Sequence, residues 1–79
     1  MQLPFRVRFK FVKMASRIVG YAWKSSLVNE YLKLVEKAKD LAELEKLVED
    51  KCATYRGREA EVLRMEHALL KRLLSESSR

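Results

Sequence analysis

The 79 residues contain two glycines, one proline, one cysteine and one histidine. A single Cys forms no internal disulfide, and one Cys with one His cannot complete a four-ligand zinc site within a chain. The usual staples of small proteins are therefore missing, and a core of this size is marginally stable by itself. Gly20 and Gly57 lie far apart, so there is no glycine-rich phosphate loop. No Ser-His-Asp set stands in a catalytic context, and His67 has no nucleophile near it in sequence. No apolar run reaches the 18 residues of a membrane span. Arg6, Arg8, Lys10 and Lys13 break up the N-terminal segment where a secretory leader would need an unbroken apolar stretch. Asn29 and Gln2 are the only side-chain amides beside many Lys and Glu, a bias shared with hyperthermophile proteins. These absences predict a non-enzymatic, cytoplasmic protein without metal or cofactor.

What is present points to a folded helical chain. Hydrophobic residues make up 48% and charged residues 35%, too apolar for disorder. The net charge is +6, from 17 Lys and Arg against 11 Asp and Glu. Its distribution is uneven. Residues 1–24 hold Arg6, Arg8, Lys10, Lys13, Arg17 and Lys24 and no acid, while residues 25–79 are balanced. This first segment is a candidate footprint for phosphate groups, anionic lipid or an acidic protein, and its six cations are the candidate nucleic-acid-binding residues.

Residues 5–11, Phe-Arg-Val-Arg-Phe-Lys-Phe, alternate apolar and basic side chains without a fault. That pattern predicts a half-buried strand over 5–12, with Phe5, Val7, Phe9 and Phe11 facing a core. No second strand exists in the chain, so such a strand would pair with another copy across a two-fold axis. A helix competes: Arg6, Lys10, Lys13, Arg17 and Lys24 then form one stripe, and Phe5, Phe9, Val12, Val19 and Trp23 an apolar face. Met14 follows the basic run and is a candidate alternative start.

From Ser26 to Ala53 the pattern is that of an amphipathic helix. Leu27, Leu34, Leu41, Val48 and Tyr55 recur every seven residues, Tyr31, Ala38 and Cys52 add a second row, and Asn29, Glu36, Glu43 and Asp50 line the opposite side. Asp40-Leu-Ala-Glu43 matches a capping box, but no Gly or Pro accompanies it, so a continuous helix is expected, with a three-helix arrangement as the alternative. Gly57 suits a left-handed turn after Thr54. A second helix follows over about 58–74, with Val62, Leu63, Leu69, Leu70, Leu73 and Leu74 as its apolar arc and a frayed tail at 75–79.

The fold expected is all-α: a helical hairpin over 25–74, turning near 54–57. Each apolar face is wider than one neighbour covers, so two copies are expected to pair as a homodimeric four-helix bundle. Its interior would be Leu27, Tyr31, Leu34, Leu41, Val48, Val62, Leu69, Leu70 and Leu73. Glu45 and Glu66 fall in the middle of the two faces at similar height, giving either a buried carboxylate pair or two acids reaching Arg64 or Lys71. Di-iron bundles use a Glu-x-x-His spacing, which is absent because Glu66 and His67 adjoin. Cys52 reads as a small buried hydrophobe.

Cations interleaved with Phe5, Phe9, Phe11, Tyr21 and Trp23 suit phosphate contacts with stacking or wedging. A two-chain ribbon carrying Arg6, Arg8 and Lys10 into a DNA groove resembles the ribbon-helix-helix repressors over residues 5–31. The Gly-turn usual before the second helix is absent, and the long hairpin after residue 31 departs from that pattern. The expected partners are thus a second copy and DNA or RNA. The alternatives are a protein partner, through an adaptor role, and a membrane surface.

Overall fold

The computed structural model describes residues 1–19, 24–55 and 57–77. They form four helices: α1 (Phe5–Val19), α2 (Lys24–Lys37), α3 (Leu41–Thr54) and α4 (Arg58–Ser77). Gly20, Tyr21 and Trp23, which the sequence singled out, lie outside the described residues, and so do the side chains of Val19 and Lys24.

The N-terminal segment is helical, not a strand. Its period-2 pattern is also a period-3.6 pattern, because Val7, Phe11 and Ala15 recur every four residues and all three are buried. A helix satisfies its own backbone, whereas a lone strand has nothing to pair with. The first turn closes at once, with the Arg8 N–H donating to the Pro4 carbonyl at 3.0 Å. No two-chain ribbon can form from residues that are helical, so the likeness to ribbon-helix-helix repressors ends here.

The long first arm of the hairpin is also broken. Asp40 is extended (φ −150°, ψ −179°) and its carboxylate accepts from the Glu43 N–H at 2.9 Å, while Glu43 accepts from the Lys39 N–H at 3.2 Å. This reciprocal cap starts α3 without Gly or Pro, since extended backbone is open to any residue. The seven-residue repeat therefore loses its phase at the break. Leu41, at the head of α3, is 39% exposed, and Leu44, Val48 and Cys52 carry the buried row instead. At the next turn Tyr55 caps α3 and Gly57 takes φ +73° just before α4, a left-handed turn as the sequence suggested. α4 continues through Ser77, into the expected tail.

The helices close as a ring: α1 packs on α2, α2 on α3, α3 on α4 and α4 on α1, with α2 and α4 also touching across the middle. α4 meets all three others, and its buried face is accordingly wide: Ala60, Val62, Leu63, Glu66, His67, Leu69, Leu70 and Leu73. The radius of gyration is 11.8 Å, close to the value of about 12 Å for a closed domain of this length. Leu27, Tyr31, Leu34, Val48, Val62, Leu69, Leu70 and Leu73 are all buried inside one chain. The faces assigned to a second copy are covered by α1 and by the fold of α2 against α4, so their width gives no reason for self-pairing. Val7 and Phe11 belong to this core and precede Met14, so a chain starting at Met14 would lack two of its core residues.

Candidate functional site

Two places carry chemistry: the outer side of α1 and a buried polar cluster between α2 and α4. Successive helical residues turn by about 100°, which divides α1 into three sectors. Met14, Val7, Phe11 and Ala15 face the core. Val12, Phe5, Ser16 and Phe9 follow, and then Lys13, Arg6, Arg17 and Lys10. The basic sector is the stripe that the helical reading of the sequence predicts, and all four cations are exposed. Arg6 and Lys10 also border a groove against the end of α4, with Leu73, Glu76 and Ser77. Arg8 stands apart, between the core and the aromatic sector, where it reaches Glu36 on α2 at 4.0 Å. Lys24 heads α2. The structure thus brings together four of the six sequence-predicted cations.

The aromatic sector departs from expectation. Phe5 is 82% exposed and Phe9 62%, while Phe11 is fully buried. The two outer rings stack on each other, with centroids 6.3 Å apart and planes 22° from parallel. With Arg8, Val12, Lys13 and Ser16 they line a shallow apolar depression. The helical reading of the sequence makes Phe5, Phe9 and Val12 part of the apolar face, whereas the structure buries a second stripe, Val7, Phe11 and Ala15, and only one of the two can face the core.

The second place lies where α2 and α4 cross the middle of the ring. Tyr31 is fully buried and its hydroxyl shares a hydrogen bond with His67 Nδ1 at 2.9 Å. Its ring also packs on Phe11 at 5.3 Å and on the His67 ring at 6.0 Å, linking α1, α2 and α4 in one column. Glu66, beside His67, is 1% exposed, and neither of its carboxyl oxygens has a hydrogen-bond partner. Burial, reinforced by the charge of Glu30, raises its pKa to about 7. Burial pushes the His67 pKa down, as does Lys71, against the opposing charges of Glu45 and Glu49. Burial and the Glu66 charge together hold the Tyr31 phenol well above its ordinary value.

Glu45 and Glu66 do not form a pair. Glu45 is exposed and reaches Lys71 Nζ at 3.8 Å, one of the two cations expected for it. The wheel that placed Glu45 inside ran unbroken through Asp40, and restarting α3 there rotates it outward. The Tyr31–His67 bond was not foreseen. Its only sequence signal is a histidine at the edge of an apolar arc.

Elsewhere the polar groups serve the fold. The Tyr55 hydroxyl donates to Glu30 Oε2, tying the α3–α4 turn to α2. Burial raises the Cys52 pKa, and its thiol faces the Ala60 carbonyl at 3.6 Å, which keeps it protonated and inert. The Met1 amino group donates to the Val35 and Ala38 carbonyls at the end of α2, where a cation complements the helix dipole. Among the described residues, no group of three or more His, Cys, Asp or Glu could hold a metal ion, and no helix is long and apolar enough to cross a membrane. Comparison with protein-family models, curated proteins and solved structures finds no match to this chain.

Proposed function

We propose that the protein is a non-enzymatic nucleic-acid-binding module whose reader is the outer side of α1. The observation that carries this reading is the exposed row Lys13, Arg6, Arg17 and Lys10 on a helix that has no acidic residue. Phosphate contacts of this kind supply most of the affinity of sequence-independent binding. The folded bundle is the scaffold, since the inner face of the same helix is locked into the core by Val7, Phe11 and Ala15.

A salt series tests it. Binding of a labelled oligonucleotide should weaken linearly in log–log form, with a slope near −3 for four contacts to a single strand, from about −0.7 per contact. Charge reversal at Lys13 and Arg17, both exposed, should reduce affinity and flatten the slope by about half. No binding at low salt, or an unchanged slope in the double variant, would refute the reading.

A second reading, an adaptor that docks a protein partner, is favoured by the exposed Phe5, Phe9 and Val12. It predicts that those residues, and not the cations, govern binding.

A further inference from the structure

We infer that Phe5 and Phe9 form a base-stacking platform that makes α1 selective for single-stranded over double-stranded nucleic acid. This rests on the nucleic-acid reading above and adds the class of ligand.

Three observations support it. The first is that the rings are open: Phe5 and Phe9 are 82% and 62% exposed on a helix whose third phenylalanine is fully buried. The second is that they are pre-arranged. Stacking at 6.3 Å and 22° orders the two side chains one turn apart, so less rotamer freedom remains to be lost on binding. The third is the lateral order of the sectors. The four cations lie on one side of the rings, from Lys13, which borders the same depression, round to Lys10, about 100° beyond Phe9. The one α1 cation on the other side, Arg8, borders the same depression as the rings and lies at 4.0 Å from Glu36.

That lopsided layout, four cations on one flank against a single cation beside Glu36 on the other, matches a nucleotide strand, which carries phosphates along one edge and bases along the other. Anionic lipid presents charge on every side of an inserted apolar stripe, and a helix lying in it places cations on both flanks. In a duplex the base faces are already covered by their neighbours, so a stacking surface gains nothing without unstacking a step. In a single strand the faces are free. The platform therefore distinguishes the two forms, while the cations serve both.

The test measures binding of a mixed-sequence 12-nucleotide strand and of its duplex to wild type, F5A/F9A and F5L/F9L, across a salt series. Binding to phosphatidylserine vesicles and sedimentation of the protein alone are measured beside it. Wild type should prefer the single strand. Each ring lost should weaken single-strand binding about fivefold to a hundredfold. Duplex binding and the salt slope should stay the same. The leucine variant keeps the apolar area without a π face, so it should lose the preference as the alanine variant does. Both positions are exposed, and unchanged melting curves confirm that the variants fold.

Equal binding of strand and duplex by wild type, with the salt slope intact, would overturn the platform and leave the basic-stripe reading standing. Full single-strand binding by F5L/F9L would overturn it too. Binding to vesicles, or self-association, that F5L/F9L retains while nucleic acid is not bound at low salt would overturn both readings. It would assign the stripe to lipid or to a second copy.

Discussion

Replacing Glu66 by Gln should change the pH dependence of stability in a calculable way. Glu66 has a pKa of about 7 in the fold, against an ordinary value of 4.5. The folded state therefore holds this proton more tightly than the unfolded chain. Its contribution is fully present below pH 4.5 and is lost as pH rises through 7. At about 1.36 kcal/mol per pKa unit, the total loss is about 3 kcal/mol. A domain of this length has only about 4–12 kcal/mol of stability in all. His67 acts in the opposite sense. Its pKa is lowered, so the unfolded chain takes up that proton first and stability falls as pH drops below 6.5. The two slopes oppose each other just below pH 6.5, which blurs the wild-type curve. Subtracting the curve of Glu66→Gln removes the histidine contribution and isolates the carboxyl group. The stability of the variant relative to wild type should grow by about 2–3 kcal/mol from pH 5 to pH 8, equivalent to about 10–20 °C in Tm. Urea denaturation followed by far-UV circular dichroism at several pH values reads this directly. A constant difference across that range would refute the buried, unpaired carboxyl.

Phe11→Ala should cost about 3–5 kcal/mol, because Phe11 is fully buried and packs on Tyr31, and chemical denaturation would measure it. Deleting residues 1–13 removes both Val7 and Phe11, so the truncated chain should lose its cooperative melting transition. Asp40→Ala should cost about 1 kcal/mol through loss of the cap to the Glu43 N–H, read as a lower urea midpoint with the same slope. Glu45→Leu should leave Tm nearly unchanged, since its contact with Lys71 is exposed, whereas Glu66→Leu should raise it at pH 8.

The helical class and the turn before α4 were legible because long amphipathic periods and Gly57 admit few other readings. The segment 5–12 was not, because Phe-Arg-Val-Arg-Phe-Lys-Phe fits both periods until the spacing to Ala15 is included. The break at Asp40 was visible as a capping box. Without Gly or Pro beside it, that box does not by itself distinguish a new helix from a continuous one. That one misplaced phase put Glu45 inside and Leu41 in the core. It left Glu66 correctly placed, since α4 has no break. The stoichiometry could not be read from the width of the faces, because a covering helix from the same chain and one from a copy look alike in the sequence. Of the candidate site, the basic stripe was legible as a spacing of 4, 3 and 4. The exposure of Phe5 and Phe9 was not, because both apolar stripes on α1 compete for one core.

The closure of the helices into a ring bears on how the chain could be rewired. The start of α1 and the end of α4 lie side by side, with Arg6, Val7 and Lys10 against Leu73, Glu76 and Ser77. A short Gly-Ser linker could join them, and new termini could open between Lys39 and Asp40, leaving the Asp40 cap on α3. Such a circular permutant keeps every packed pair of helices. It makes the α1–α4 contact local and the less extensive α2–α3 contact distant in its place, which lowers the mean sequence separation of contacts and should speed folding.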